Sequence, residues 1–457
     1  ERRYNPQSRT ILSVISLVSY VLTKVAVTVY AGGLVFQQVF GIKELWGIDF
    51  FWIAAIGLVV LTALYTIFGG MKSVLYTSVL QTPILLLGSL IILVLGFKEL
   101  GGWDEMMRVC GAVTVNDYGD TMTNLIRSND DANFPWLGAL IGSAIIGFWY
   151  WCTDQFIVQR VLSGKNEMEA RRGTIFGAYL KLLPVFLFLI PGMIAFALHQ
   201  KYIGAGGEGF LPMLANGTAN ADAAFPTLVA KLLPAGVKGL VVCGILAALM
   251  SSLASLFNSS AMLFTIDFYK RFRPETPEKK LVGIGQVATV VIVILGILWI
   301  PIMRSVGDVL YTYLQDVQSV LAPGIAAAFL LGICWKRTSA QGGMWGLIAG
   351  MVIGLTRLGA KVYYSNAGEV ADSTFKYLFY DMNWLFFCGW MFLFCIIVVI
   401  VVSLATKAPT AEKIQGLVFG TATKEQKAAT RASWNHWDII HTVIILAITG
   451  AFYWYFW

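Results

Sequence analysis

The sequence predicts an all-α polytopic membrane protein, and its composition is the first reason. Hydrophobic residues make up 57% of the 457 positions and charged residues only 13%, about half the charged share of a typical soluble domain. Long runs almost without charge recur along the chain, such as 50–68. Each is long enough to cross a hydrocarbon core of about 30 Å. Because lipid offers the backbone no hydrogen-bond partners, these runs are predicted to be helices.

About 11 segments are long and apolar enough to span a bilayer. A mean hydropathy of +0.71 fits a chain dominated by such segments. They lie at approximately 10–38, 49–70, 77–97, 135–161, 173–199, 234–268, 281–303, 308–335, 341–359, 383–405 and 437–457.

The charge of the connecting segments predicts the orientation of the chain. Short loops rich in Lys and Arg stay on the cytoplasmic side of a membrane. Here every second connection is basic and is therefore expected on the cytoplasmic side. The chain is accordingly expected to begin inside and end outside. The first residue is Glu rather than Met, and we expect the chain to be truncated at its N-terminus. The basic connections are 163–173, 269–280, 335–341 and 406–432.

Several other classes of protein are disfavoured. The six cysteines lack CxxC spacing and the three histidines form no HExxH pattern, so neither a disulfide framework nor a zinc site is indicated. No cluster of catalytic residue types is seen, and an enzyme is not expected. The net charge of +7 comes from the basic loops, which the rule for cytoplasmic loops explains without a nucleic-acid partner.

Lys181 lies inside a predicted span, about eight residues and therefore roughly 12 Å from its cytoplasmic end. A charge at the bilayer centre costs ~3 kcal/mol or more and is usually retained for a function. Lys181 could bind a ligand, or it could extend its amine to the inner interface. Pro184 and Pro191 loosen the same helix, which favours close approach of a ligand.

A stripe of serines follows one face of the segment 249–265. Ser252, Ser255 and Ser259 repeat at helical spacing. Hydroxyl and carbonyl oxygens suit a small hard cation such as sodium. The alternative is ordinary packing, because small residues let helices approach closely and serine can bond back to its own helix.

Three polar residues, Gln315, Asp316 and Gln318, lie just inside another predicted span, whose Pro323-Gly324 pair favours a break. A glutamine can both donate and accept hydrogen bonds, as recognition of a sugar hydroxyl requires. Alternatively, Gln315 and Asp316 cap a helix that begins at the outer interface.

A run of aromatic residues that includes Tyr150 and Trp151 precedes Thr153, Asp154 and Gln155 in the segment 147–160. Aromatic faces can stack on the apolar face of a sugar ring. Aromatic residues also form belts at membrane interfaces, but these lie away from either predicted end of the span.

These segments together resemble the sodium/glucose cotransporters of the sodium/solute symporter family. WYWCTDQFIVQR (149–160) is similar to a signature segment of that group, and YLKLLPVFLFLIPGMI (179–194) to its following helix. MSSLASLFNSSAMLFTIDFYK (250–270) and the YLQ…APG stretch (313–324) also match, as does the TK pair ending at Lys24. The matches keep the order of the family along essentially the whole chain.

The resemblance implies a LeuT-like transporter fold of two inverted five-helix repeats with peripheral helices. It also implies that residues 1–457 are a single transmembrane symporter domain that is incomplete at its N-terminus. The match begins just before the third core helix of the family. One peripheral helix and the first two core helices, which carry sodium and sugar ligands, would then be missing.

The resemblance also implies a set of sugar-binding residues. By position, Lys181 and Gln315 would hydrogen-bond the sugar. Tyr150 would stack on it as the inner gate, with Trp151 beside it. Tyr311 falls where the family has an outer-gate aromatic residue.

A sodium site is implied in the same way, formed by the carbonyl of Ala248 and the hydroxyls of Ser251 and Ser252. Gly147 departs from the family pattern, because other members can have a polar residue that binds the sugar at this position. Ser78 and Ala254 occupy places that members with a second sodium use, and we therefore expect one sodium per sugar.

The expected function is sodium-coupled symport of a monosaccharide of the galactose or glucose type into the cell by alternating access. Symport of another solute, such as inositol or sialic acid, and a symporter-like membrane sensor are the alternatives. Sodium is the coupling ion, and no other cofactor is expected. The expected partners are sugar, sodium and the lipid bilayer of the cell membrane, without nucleic acid or an obligate protein partner.

Overall fold

The computed structural model describes residues 1–214, 217–306, 309–367 and 371–456; within these ranges, the side chains of 65, 67–78, 80 and 304–306 are not described. The described part is almost entirely helical. Its main helices are α1 (Pro6–Phe40), α2 (Phe50–Leu100), α3 (Trp103–Gly111), α4 (Trp136–Cys152), α5 (Gln155–Leu162), α6 (Glu167–Gly204), α7 (Ala224–Leu232), α8 (Ala235–Phe272), α9 (Glu278–Val306), α10 (Leu310–Cys334), α11 (Ala340–Asn366), α12 (Trp384–Ala405), α13 (Lys424–Ala432) and α14 (His436–Tyr455).

Short elements connect these helices. One-turn helices lie at Ala221–Ala223, Thr374–Lys376 and Ala411–Lys413. The two strands of the described part, β1 (Glu44–Leu45) and β2 (Ile48–Asp49), pair antiparallel. Their turn places both Trp46 and Gly47 at positive φ, as a tight two-residue hairpin requires.

Within the described ranges, four π-helical turns interrupt the α-helical pattern. Three lie within long helices: Tyr20–Val25 in α1, Val185–Leu189 in α6 and Leu263–Tyr269 in α8; the fourth is Tyr377–Asp381. A π-helical turn carries an extra residue, so side chains on either side of it no longer follow one α-helical face.

The helices account for the predicted spans. Nine helices in the described ranges are long and apolar enough to cross a membrane, and the bent pair α4–α5 makes ten. The segments 49–70 and 77–97 were expected as two separate spans, but both lie in the single continuous helix α2. The first coincides with the shorter apolar stretch Phe50–Leu64; the side chains that follow it are mostly outside the described set. The segment 135–161 was expected as one helix, but it bends by 48° between α4 and α5.

The described chain forms two compact units. The first unit comprises Glu1–Thr23, Arg127–Ile175 and Ser259–Ile444. The second unit comprises Lys24–Ile126, Phe176–Asn258 and Ile445–Trp457, of which residue 457 is not described.

In the first unit, α10, α11 and α12 pack on one another, and α10 and α12 also pack on α4. Helices α10 and α11 touch backbone to backbone. A Cβ added at Gly350 would lie 2.7 Å from the Cα of Gly324, and one added at Gly354 would lie 2.3 Å from the carbonyl oxygen of Val320. Glycine is therefore required at this crossing, as is common where membrane helices approach closely.

Tyr4, near the N-terminus, packs against α10 and α11 of the same unit. Its hydroxyl donates to the carbonyl of Ala328 at 2.5 Å. The Tyr4 side chain fills the space that a Cβ at Gly332 or Gly343 would need. Burial raises the pKa of Tyr4 to about 12, so this hydroxyl keeps its proton at physiological pH.

In the second unit, α2, α3, α6, α7 and the first part of α8 enclose a core of buried aliphatic residues that includes Ile92, Ile194 and Leu198. His199 joins this core to the following loop, because its Nδ1 accepts a hydrogen bond from the amide of Leu211 at 3.0 Å.

Replacing Gly354 by alanine is expected to destabilise the protein by about 1–3 kcal/mol, because the new methyl group would overlap the backbone of α10. The melting temperature of the purified protein in detergent measures this change. Gly359→Ala in the same helix is the matched control, since a Cβ there meets nothing within 4 Å and alanine favours helix formation. Equal melting temperatures for the two variants would contradict the close contact.

Candidate functional site

The residues predicted to bind sugar and sodium are distributed over both units. Tyr150, Trp151, Tyr311 and Gln315 belong to the first unit. The second unit contains the others: Lys181, Ala248, Ser251 and Ser252. Each group is described within its own unit.

The break between α4 and α5 sets the position of Tyr150 and Trp151. Helix α4 ends at Cys152, and Asp154 then caps α5, because its Oδ1 accepts from the amide of Phe156 at 3.1 Å. The hydroxyl of Tyr20, a fully buried residue, donates to the same Oδ1 at 2.9 Å. Asp154 is therefore a buried N-cap of α5, at the point where the chain changes direction after α4.

The two aromatic residues lie on the last turn of α4. Tyr150 is partly buried, whereas Trp151 is exposed. Their rings meet edge to face, with centroids 5.3 Å apart and planes at 86°. This geometry fixes the orientation of both rings next to the helix break, where a sugar could stack on one of them.

Gln315 and Tyr311 form a pair on the first two turns of α10. The Gln315 Nε2 donates to the Tyr311 hydroxyl at 3.2 Å. Gln315 is half-buried and Tyr311 is exposed. The structure thus brings together two of the predicted sugar-binding residues. The alternative that Gln315 and Asp316 cap this helix is wrong, because α10 begins at Leu310 with Val309 as its N-cap.

Asp316 points away from solvent and interacts with α11. It is only 7% exposed. Its Oδ2 pairs with the amine of Lys361, and its Oδ1 lies 3.6 Å from Arg357 Nη2. The sequence reasoning missed Arg357 and Lys361. Their spacing of four residues inside an apolar helix is a signal that could have found them, since it places both on one face.

Lys181 lies in α6 of the second unit, three residues before Pro184 and the π-helical turn Val185–Leu189. Its side chain is exposed rather than enclosed. Both interpretations of Lys181, ligand binding and extension of the amine to the interface, fit this exposure. Its role stays a prediction.

The predicted sodium ligands lie within one turn of α8. Ser251 and Ser252 follow Ala248 by three and four residues, so their hydroxyls lie near its carbonyl. Ser251 is buried and Ser252 half-buried. A set of neutral oxygens fits a hard monovalent cation. In the described part of the chain, no group of three or more His, Cys, Asp and Glu side chains is arranged to hold a metal.

The three serines of the predicted stripe lie in one continuous α-helical stretch of α8, Ala235–Met262, as their spacing predicted. Ser252 and Ser255 lie in the second unit, whereas Ser259 lies in the first. There the Ser259 Oγ accepts from Gln159 Nε2 at 2.5 Å. Packing and helix-to-helix bonding therefore account for Ser259.

Three positions depart from the expected family pattern, and the structure describes two of them. A side chain added at Gly147 would meet nothing within 4 Å, so this position has room for a larger residue. Ala254 is fully buried and contributes no side-chain oxygen. The side chain of Ser78 lies outside the described set.

Comparison with known proteins gives the family. Residues 1–350 match the family described as the Sodium:solute symporter family. The chain belongs to this family. Its members are transporters and not enzymes, and they are multi-pass proteins of the cell membrane, in agreement with the membrane-length helices.

Three relatives are similar along most of this chain. The sodium/mannose cotransporter of Bos taurus is 35% identical, with 100% of this chain and 79% of the relative covered. The sodium/myo-inositol cotransporter 2 of Homo sapiens is 35% identical, with 90% and 62% covered. The sodium/glucose cotransporter 1 of Ovis aries is 37% identical, with 87% and 61% covered. The chain therefore spans about three fifths of the length of the latter two.

A solved structure supports the fold. A Na⁺-coupled sialic acid symporter in a substrate-bound outward-open state has a TM-score of 0.63 to this chain, at 20% identity, with 89% of this chain and 76% of that chain covered. At this identity the likeness concerns the fold alone. The predicted all-α membrane fold with LeuT-like architecture is confirmed.

Asp154→Ala is expected to destabilise the protein by about 2 kcal/mol or more, because α5 loses its cap and the buried Tyr20 hydroxyl loses its acceptor. Thermal unfolding of the purified protein measures the loss. Asp154→Asn is the control, since an asparagine oxygen can accept both bonds. If alanine proved as stable as asparagine, the capping role of Asp154 would be refuted.

Proposed function

We propose that this protein imports a monosaccharide of the galactose or glucose type together with sodium by alternating access, with residues 1–457 acting as one symporter domain. The observation that carries the proposal is the identity of 35–37% to cotransporters of mannose, myo-inositol and glucose. All three solutes are small polyhydroxylated molecules without charge. The paired amide and phenol of Gln315 and Tyr311 suit such a solute.

In the proposed mechanism, the sugar hydroxyls bind the amine of Lys181 and the amide of Gln315, because both groups can donate hydrogen bonds. Tyr150 stacks on the apolar face of the sugar as the inner gate, next to Trp151. Tyr311 closes over it from the outside. Each contact follows from the family resemblance and agrees with the residue type present.

Sodium is proposed to bind the carbonyl of Ala248 and the hydroxyls of Ser251 and Ser252. Coupling requires that sodium favour one conformation over the other, because a ligand shifts an equilibrium only by its difference in affinity for the two states. Sodium bound at α8 would favour the outward-open state, and sugar binding would then allow closure.

A second candidate solute is myo-inositol, since the human sodium/myo-inositol cotransporter 2 is as similar to this chain as the bovine sodium/mannose cotransporter is. The two classes differ in ring chemistry but not in charge. Uptake assays with both therefore decide between them.

Uptake of labelled glucose, galactose, mannose and myo-inositol into proteoliposomes that contain the full-length protein tests the proposal. Uptake of a hexose should require an inward sodium gradient and cease when potassium replaces sodium. Lys181→Ala should raise the KM for the sugar, and Ser252→Ala the half-saturating sodium concentration, each about tenfold or more, because a bond to a charged group is lost.

Lys376→Ala and Ser163→Ala are matched controls, since both residues lie in connecting segments of the first unit. They should leave both parameters unchanged. Sodium-driven uptake of myo-inositol without uptake of any hexose would replace the proposed solute and keep the coupling. Uptake that is independent of sodium would refute the proposal.

We also propose that one sodium ion accompanies each sugar, because Ala254 offers no hydroxyl for a second sodium ion. Initial fluxes of labelled sodium and labelled sugar, measured in the same vesicles, give the ratio directly. A ratio near one is expected. Two sodium ions per sugar would rule out this stoichiometry.

A further inference from the structure

The carboxylate of Asp316 is a buried charge directly beside Gln315 in α10. It is 7% exposed, and its Oδ1 is buried without a hydrogen-bond partner in the described part of the chain. Its Oδ2 accepts a hydrogen bond from the Lys361 amine. Because Oδ1 is buried and Oδ2 is engaged by Lys361, we expect Asp316 to act through its neighbours rather than by contact with a solute.

Two cations lie near Asp316 among the described side chains, and of these only Lys361 is hydrogen-bonded to it. Arg357 is fully buried and is held by other groups. Its Nη2 donates to the carbonyl of Met382 at 2.7 Å, its Nη1 donates to that of Leu378 at 3.4 Å, and its guanidinium lies 4.0 Å from the centre of the Phe387 ring. Asp316 therefore depends on Lys361 for its strong, charge-assisted bond.

The backbone of α10 lacks one helical hydrogen bond one turn after Gln315. Pro323 lies inside α10 and has no amide hydrogen, so the carbonyl of Ser319 lacks its usual helical partner. Separately, the Ser319 hydroxyl donates to the carbonyl of Asp316 at 2.6 Å and adds a side-chain contact to this stretch. Because this backbone hydrogen bond is missing, the backbone alone fixes the rotation of the first turns of α10 less tightly.

Two contacts hold the segment on either side of Gln315. Two residues before it, the Tyr313 hydroxyl donates to the carbonyl of Leu22 at 3.0 Å and accepts from Trp299 Nε1 at 2.6 Å. One residue after it, Asp316 pairs with Lys361. The second contact joins α10 to α11 through a single flexible amine, so it can be removed selectively.

We propose that Lys361 is a positioning residue of the solute site. Its ion pair with Asp316 fixes the rotation of α10 at which Gln315 and Tyr311 are presented to the solute. The inference rests on the proposed function, because it assigns to Gln315 the role of a sugar ligand. Lys361 affects sugar affinity without contacting the sugar.

The test compares Lys361→Met, which keeps the length of the side chain and removes its charge, with Lys361→Arg, which keeps the charge. In sodium-driven uptake by the full-length protein, the sugar KM of Lys361→Met should rise about tenfold, as expected when one ligand hydrogen bond is misplaced. The half-saturating sodium concentration and the maximal rate should stay close to wild type. Lys361→Arg should restore the sugar KM.

The matched control is Lys376→Met. Lys376 also pairs with an aspartate in the first unit, Asp372, at 2.8 Å, but that partner is 95% exposed. Exposed pairs contribute little, and this variant should have the wild-type KM. An increase equal to that of Lys361→Met would overturn the inference.

A double variant, Asp316→Asn with Lys361→Met, separates positioning from stability. It removes the uncompensated buried charge, so the amount of folded protein should recover even where Lys361→Met folds poorly. Its sugar KM should nevertheless stay raised, because the side-chain link between residue 316 and α11 is lost while the backbone packing of the two helices remains. A double variant with the wild-type KM would show that the pair serves stability alone, and would overturn the inference.

Wild-type measurements distinguish the two proposals. If the wild type shows no sodium-driven uptake of any tested solute, the proposed function fails and this inference fails with it. If the wild type transports a solute and Lys361→Met has the same KM for it, only the positioning role of Lys361 is refuted.

Discussion

Hydrocarbon offers no hydrogen-bond partners, so each polar group in the membrane-spanning part of this chain has to find one within the protein. The break between α4 and α5 illustrates how this is met. The backbone amides at the start of α5 would be unsatisfied in lipid, and the buried carboxylate of Asp154 accepts one of them together with the Tyr20 hydroxyl. A change of helix direction next to Tyr150 is possible because a side chain replaces the missing backbone carbonyl.

The same requirement bears on the charged groups of α10 and α11. Lys361 pairs with Asp316, while Arg357 donates to two backbone carbonyls and lies over an aromatic ring. Asp316 Oδ1, 3.6 Å from Arg357 Nη2, is left without a hydrogen bond among the described residues. Buried charges seldom stabilise a fold more than apolar residues of the same size do. Their presence beside Gln315 therefore fits the proposed role of holding a solute ligand in place better than a role in stability.

The sequence predicted the helical architecture well because hydropathy alone determines which segments can enter lipid. It predicted less about which polar side chains bond to each other, because partners that are far apart in the chain leave no local sequence pattern. Tyr20 and Asp154 are an example, and so are Asp316 and Lys361. The spacing of the serine stripe predicted one helical face, but it did not predict that Ser259 would accept a hydrogen bond from Gln159, 100 residues earlier in the chain. The π-helical turns were not predicted either, since hydrophobic composition does not distinguish them from α-helix.

The pair of Asp316 and Lys361 also restricts the order in which related sequences can change. Lys361 is 19% exposed at its side chain and is long enough to reach a more polar environment, so a lineage can lose Asp316 first at modest cost. Losing Lys361 first leaves a buried carboxylate whose remaining neighbour, Arg357, is already engaged. Related sequences with a neutral residue at position 316 and a lysine at 361 should therefore outnumber those with an aspartate at 316 and a neutral residue at 361.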